Sequence, residues 1–166
     1  MTGEPDPIAE AKRQWLAHGW VDAADGMEMV TSLVRVHQLL DERIHAVLRP
    51  LGLTFARYEV LRLLAFTRHG SLPMTRLGSL LQVHPASVTN AVDRLEDQGF
   101  ATRERDDQDR RVVRASITKA GREVVERATV GLNSAVFAVP GHSTSDVATL
   151  TSALTAFRRQ AGDITS

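Results

Sequence analysis

The chain has 166 residues, of which 43% are hydrophobic and 24% are charged, a composition typical of one soluble globular domain. No apolar run approaches the roughly 18 residues that cross a bilayer and the N-terminus lacks a secretory pattern, so we expect a cytoplasmic protein with no membrane partner. The absence of cysteine excludes disulfides and thiolate metal sites, and equal totals of basic and acidic residues give no overall indication of a nucleic-acid partner.

The first elements in chain order are an N-terminal arm and a long helix. Residues 1–26 form the arm, which contains a short predicted helix over residues 7–18. From residue 28 to residue 48, apolar residues recur at helical spacing, and Arg49-Pro50 ends the pattern. Because so regular a stripe requires a partner helix, we assign residues 27–50 to dimerisation.

Three further helices follow. Thr54 can cap the first, and Pro73 and Pro85 fit the first turns of two shorter ones. Only residues 82–84 separate the two short helices, so they must cross steeply, as in a helix-turn-helix. We expect Gly78 to let their backbones approach closely.

A change of pattern after residue 99 indicates a β-hairpin. Two short segments with strand-like patterns, residues 100–106 and 111–118, flank a polar stretch. The order of helices, tight turn, helix and hairpin is that of a winged helix-turn-helix lobe, which we place at residues 51–121. The fold class is therefore mainly α with a small β-hairpin wing, joined to a helical dimerisation region.

The C-terminal region is predicted to be helical. Thr118 can cap a helix that is broken at residues 140–141, and a last helix begins near Ser143. Both carry apolar stripes, so we assign residues 122–166 to C-terminal dimerisation helices.

The segment from Leu53 to Gly121 closely resembles the MarR (multiple antibiotic resistance regulator) family. Its most specific blocks are SVTNAVDRLEDQG and DQDRRVVRASITKAG, at the separation they have here. The resemblance implies a homodimeric transcriptional regulator that binds double-stranded DNA. It also places the motif matching Asp109, Arg110 and Arg111 in the wing, where the aspartate orients an arginine for insertion into the minor groove. A narrow minor groove concentrates negative potential, which agrees with that role.

The second helix of the motif is the candidate recognition helix. Apolar residues occupy one of its faces, which leaves on or beside the opposite face Ala86, Ser87, Thr89, Asn90 and Arg94. Such side chains can hydrogen-bond base edges or phosphates, and alanine can approach a thymine methyl group. A solvated helix face could carry the same residues, but the adjoining wing favours DNA contact. Residues 103–122 add a local excess of three positive charges.

MarR relatives often bind small aromatic or phenolic anions between the dimerisation helices and the DNA-binding lobe. The candidate effector residues here are Trp15, His37, His45, Arg49, Arg57 and Tyr58. An arm with Trp15 and Trp20 resembles that of urate-responsive relatives, although Glu59 stands where an aspartate is expected.

The sequence lacks the common catalytic, phosphate-binding and metal-binding motifs. There is no HExxH, phosphate-binding loop or nucleophile elbow, so we predict no metal site, no cofactor and no enzyme activity. We expect a sequence-specific DNA-binding regulator, namely a ligand-responsive repressor on a palindromic operator. The alternative is a winged-helix module that docks protein instead of DNA, which would present an apolar or acidic recognition face.

Overall fold

The computed structural model describes residues 6–106, 108–138 and 142–164, so the predicted break at residues 140–141 lies outside the described residues. The chain divides into two compact units, Met1–Ala46 and Val47–Ser166. None of the described helices is both long and apolar enough to span a membrane. Within the same residues, no group of three or more histidine or acidic side chains could hold a metal ion.

The first unit contains two helices. Asp6 caps α1 (Pro7–Ala17), and α2 follows over Val21–Leu48, its last two residues belonging to the second unit. The predicted start of this long helix at residue 28 is therefore wrong. Lys12 Nζ lies 2.7 Å from Asp25 and 2.6 Å from Glu28, and these ion pairs join α1 to the early turns of α2.

Along α2 a series of apolar side chains is exposed in the single chain: Met29, Val30, Leu33, Val34, Val36, Leu39 and Leu40. The periodicity that predicted an amphipathic helix is thus present. Its apolar stripe is not buried within one chain.

The helices of the second unit begin with α3 (Phe55–Phe66), α4 (Met74–Leu81) and α5 (Pro85–Asp97), which form its core with the sheet and α6. Thr54 caps α3 as predicted. The turn between α4 and α5 is made at Gln82, whose φ of 54° lies in the left-handed region. The predicted close approach at Gly78 is wrong, because a Cβ there would make only ordinary contacts at 3.8 Å.

The sheet has three antiparallel strands, in the order β1 (Ser71–Pro73), β3 (Val113–Ile117) and β2 (Ala101–Arg105). Strands β2 and β3 form the predicted hairpin, and β1 is a strand that the sequence did not indicate. Proline ends this strand, so Pro73 precedes α4 as its N-cap rather than lying in its first turn. Strand β3 is therefore held on both sides, once by the hairpin and once by the segment that leads into α4.

The C-terminal region has the predicted order. Thr118 caps α6 (Lys119–Leu132), a π-helical turn spans Asn133–Phe137, and Ser143 caps α7 (Thr144–Gln160). Helix α6 packs on α3, where the Tyr58 hydroxyl lies 3.1 Å from that of Thr129. Helix α7 exposes the apolar side chains of Leu150, Leu154 and Phe157.

Candidate nucleic-acid interface

Helix α5 separates an apolar face from a polar one. It buries Val88, Ala91, Val92 and Leu95, as the periodicity predicted. The five sequence-predicted contact residues, Ala86, Ser87, Thr89, Asn90 and Arg94, are all exposed. Thr89 Oγ1 donates to the Pro85 carbonyl at 3.1 Å, and the Arg94 side chain is 68% exposed. This face is free to meet another molecule, and its contact with DNA stays a prediction.

Arg103 on β2 joins the wing to the recognition helix. Its Nη1 lies 2.6 Å from Asp93 Oδ1 and its Nε lies 2.6 Å from Glu96 Oε2, both on α5. The Arg103 backbone N–H also donates to Glu96 Oε1 at 2.7 Å. These contacts fix the start of the wing against the middle of α5 and compensate one of the two negative charges of the carboxylates.

Asp106 organises the tip of the wing. Its carboxylate accepts backbone N–H groups from Gln108 at 2.9 Å and Asp109 at 3.3 Å, and Arg114 lies 3.4 Å away. The two N–H groups, with a smaller contribution from Arg114, hold the pKa of the Asp106 carboxyl below its usual range. Negative charge at Asp106 therefore supports the folded tip.

The predicted wing motif lies just beyond this turn. Asp109 Oδ1 accepts the Arg111 backbone N–H at 3.0 Å and lies 3.9 Å from Arg111 Nε. The Arg111 side chain is 96% exposed, and Arg110 is exposed beside it. The aspartate thus orders the backbone at Arg111 and lies at ion-pair distance from its guanidinium, which extends into solvent.

A groove runs between the N-terminal turn of α3 and the exposed face of α5. Arg57 contributes to one wall, and Ser87, Asn90 and Arg94 contribute to the other. The Arg57 guanidinium donates from Nε to Thr54 Oγ1 at 3.2 Å and from Nη1 to Gln98 Oε1 at 3.0 Å.

Comparison with known proteins agrees with this geometry. The family model described as MarR family matches residues 53–113. A crystal structure of a MarR family transcriptional regulator from Streptomyces coelicolor is 40% identical, covering 86% of this chain and 99% of that chain with a TM-score of 0.75. The chain belongs to the MarR family of transcriptional regulators.

Two further proteins match over a shorter stretch or at lower identity. YhbI, an uncharacterized HTH-type transcriptional regulator of Bacillus subtilis, is 36% identical over 89 residues, which are 52% of this chain and 55% of that protein. The chain thus spans about half the length of this relative. A second MarR family regulator from Streptomyces coelicolor, solved in complex with DNA, is 24% identical over 82% of this chain and 88% of its own, with a TM-score of 0.73. This chain and the DNA-bound regulator share the same fold.

Three candidate effector residues of this MarR chain lie in the second unit. Tyr58 is only 5% exposed, and its hydroxyl contacts Thr129. Arg49 is exposed in the 3-10 turn after α2, and Arg57 lines the groove beside α5. Next to Tyr58, burial raises the pKa of the Glu59 carboxyl.

The other three lie in the first unit. The ring of Trp15 packs edge-on against that of Trp20, with 5.1 Å between their centroids. His45 Nδ1 lies 3.1 Å from an Asp41 carboxylate oxygen, and His37 is exposed on α2. Effector binding by these six residues stays a prediction.

The sequence did not predict the positions of two arginines of the interface, Arg103 and Arg57. Arg103 was counted only as part of a basic stretch, although the acidic residues Asp93 and Glu96, three apart on a helix that leads into a strand, were a usable signal. Arg57 was assigned to an effector, since nothing in the linear pattern indicates that the N-terminal turn of α3 borders α5.

Proposed function

We propose that this chain is a sequence-specific DNA-binding repressor that acts as a homodimer on a palindromic operator. The observation that carries the proposal is the exposed polar face of α5, positioned beside the wing by Arg103. Ser87, Asn90 and Arg94 offer hydrogen-bonding groups suited to base edges and phosphates. A protein-docking face would be expected to be apolar or acidic, so this surface favours DNA.

The exposed apolar side chains of α2 and α7 support the homodimer. Soluble monomers rarely leave large contiguous apolar surfaces in water, and a helix with such a stripe is stabilised by a partner. A two-fold dimer presents two recognition helices in inverted orientation. The operator half-sites should therefore be inverted and about 10 base pairs apart from centre to centre. Occupation of such a site within a promoter would exclude RNA polymerase, which is the basis for proposing repression.

The deciding experiment is to sequence the DNA recovered with the purified protein, followed by affinity measurements on the enriched duplex and a scrambled one. Asn90→Ala should relax the preference at one base-pair position, at a cost of about 1 to 3 kcal/mol. Arg127→Ala on α6 is the control, since it removes an exposed arginine that does not line the groove beside α5. Equal affinity for both duplexes would contradict sequence specificity, and no DNA binding at low salt would favour the protein-docking alternative.

The wing has a separate test. Arg111→Ala should weaken operator binding because the arginine enters the minor groove, and Asp109→Ala should weaken it less because only the support at Arg111 is lost. Unchanged affinity of Arg111→Ala across a salt titration would show that the wing does not contact DNA. Light scattering at micromolar concentration checks the dimer, and a monomer there would contradict it.

A small aromatic or anionic effector is the remaining part of the proposal. Such a ligand must prefer the form that does not bind DNA, and a coupling of about 1 to 3 kcal/mol would reduce operator affinity roughly 5- to 150-fold. The two tryptophans, Trp15 and Trp20, are packed together and provide an intrinsic fluorescence signal. Salicylate, other phenolic acids and urate should be screened by tryptophan quenching and mobility shift in parallel. Quenching without a change in operator affinity would exclude regulation by that compound.

A further inference from the structure

The charged side chains that line the groove between α3 and α5 are both basic. Arg57 and Arg94 lie along it together with the polar side chains of Thr54, Ser87 and Asn90. No acidic side chain is among the described residues that line it. Alanines complete the lining, so the groove is open next to the exposed face of α5. Its composition suits an anion better than a neutral or cationic group.

Among the residues that the structure describes, the partners that hold Arg57 in place are neutral. Its guanidinium donates to the Thr54 hydroxyl and to the Gln98 amide oxygen, and Gln98 Nε2 donates in turn to the Gly52 carbonyl at 2.8 Å. Gln98 is also the C-cap of α5, so these bonds connect the α2–α3 turn to the end of the recognition helix.

The hydrogen-bond partners of Arg57 differ from those of Arg62 and Arg103, which pair with carboxylates. Arg62 pairs with Glu126, Arg103 pairs with Asp93 and Glu96, and neither is left with a full charge. Among the described residues, Arg57 has no ion-pair partner within 4.0 Å, and its Nη2 has no hydrogen-bond acceptor. The side chain therefore keeps its full positive charge while its freedom is restricted, so little conformational entropy remains to be lost when an anion binds.

We propose that this groove binds a DNA backbone phosphate beside the bases read by α5, with Arg57 as its principal ligand. The inference rests on the proposed function, because it requires α5 to lie on DNA. A phosphate contact at this place fixes the register of the recognition helix and carries no sequence preference of its own. It also gives Arg57 a role different from the effector contact expected from the sequence.

The test is the salt dependence of binding to the operator and to a scrambled duplex. Neutralising one phosphate contributes about 0.9 to the slope of log K against log salt, which amounts to roughly eightfold in affinity at 0.1 M salt. Arg57→Gln should reduce the slope by about this amount and weaken both duplexes by a similar factor. Arg57→Lys keeps the charge and should keep most of the slope. Arg127→Gln is the matched control and should change neither quantity.

A second variant covers the possibility that Arg57→Gln does not fold. Gln98→Glu leaves Arg57 in the chain and puts a carboxylate oxygen where Arg57 now donates to the amide, so it should neutralise the arginine and reduce the slope in the same way. A purely structural role of Arg57 would lower the melting temperature without altering the slope.

The outcomes separate the two proposals. If the parent protein binds no DNA, the proposed function fails and this inference fails with it. If the parent binds the operator while Arg57→Gln or Gln98→Glu retains the parent slope on both duplexes, only the phosphate site is refuted. A loss confined to the operator, with scrambled DNA unaffected, would make Arg57 a base-reading residue and would also overturn the proposal.

Discussion

Replacement of Arg103 by alanine should loosen the connection between the wing and the recognition helix. In the parent protein the guanidinium bridges Asp93 and Glu96 at 2.6 Å each. The side chains of Arg103 and Glu96 are 33% and 29% exposed, and that of Asp93 is 47% exposed. Arg103→Ala leaves both carboxylates on α5 without their cation.

The exposure of these side chains sets the expected loss of stability in Arg103→Ala. Partly exposed ion pairs contribute from about 0.2 to 1 kcal/mol each, so the loss of two pairs should lower the free energy of unfolding by about 0.4 to 2 kcal/mol. The effect on DNA is additional, because two uncompensated carboxylates then lie near phosphates. At about 10 Å in water a pair of unit charges interacts by roughly 0.4 kcal/mol, so a few phosphates amount to about 1 kcal/mol, or about fivefold weaker operator binding.

The assay combines urea unfolding followed by circular dichroism with operator affinity from fluorescence anisotropy. A double-mutant cycle with Glu96→Ala isolates the pair and should give a coupling energy of about 0.5 to 1 kcal/mol. Arg103→Lys serves as the matched variant, because it keeps the charge and loses the two-pronged geometry. We expect it to recover operator affinity better than stability.

Unchanged stability and unchanged operator affinity in Arg103→Ala would refute the reasoning. A coupling energy near zero would show that the two residues act independently despite the short distances. Reduced stability with parental affinity would limit Arg103 to a structural role.

Three further changes have distinct expected results. Gly121→Ala should lower the free energy of unfolding by about 2 kcal/mol or more, because a Cβ there would overlap the Phe100 carbonyl oxygen. Gly78→Ala should raise the free energy of unfolding by about 0.5 to 1 kcal/mol, because alanine has the better helix propensity and its Cβ fits. Urea unfolding of both variants compares them directly. Leu95→Ala removes a fully buried side chain and should lower the same quantity by about 2 to 5 kcal/mol, and a loss below 1 kcal/mol would contradict its place in the core. The pKa of Asp106 is below its ordinary value of 3.8 in the folded protein, so its carboxylate stabilises the wing above that pH and the contribution is lost as the pH falls through the lower folded value. Amide shifts of the wing in an NMR titration should report this midpoint, and Asp106→Asn should abolish it.

Much of the fold was accessible from the sequence where local chemistry decides the outcome. Thr54 and Thr118 cap the helices that they were expected to cap, and α7 begins beside Ser143, where a helix start was predicted. The buried face of α5 followed from its period, since four apolar residues repeat at helical spacing and leave the polar residues outside. The exposed candidates on α5 were identified in the same way, whereas those in the wing came from the resemblance to the MarR family.

The remaining features depend on contacts between distant segments. Strand β1 is only three residues long and ends in proline, so its pairing with β3 has no local signal. Lys12 of α1 pairs with two acidic residues in the early turns of α2, a contact between helices that the apolar pattern does not reveal. The position of Arg57 depends on Gln98, which is 41 residues further along the chain. Linear patterns cannot show which distant side chains become neighbours.

The arrangement of the sheet has a consequence for self-association. An unpaired strand edge can accept a strand from another molecule and so nucleate aggregation. Both outer strands here resist this: β1 is short and ends at Pro73, and β2 carries the consecutive charged residues Arg103, Glu104 and Arg105. Growth of the sheet from molecule to molecule is thereby disfavoured. The apolar surfaces of α2 and α7 are then the expected place for contact between chains. Association through such surfaces can stop at a closed pair instead of continuing into a fibre.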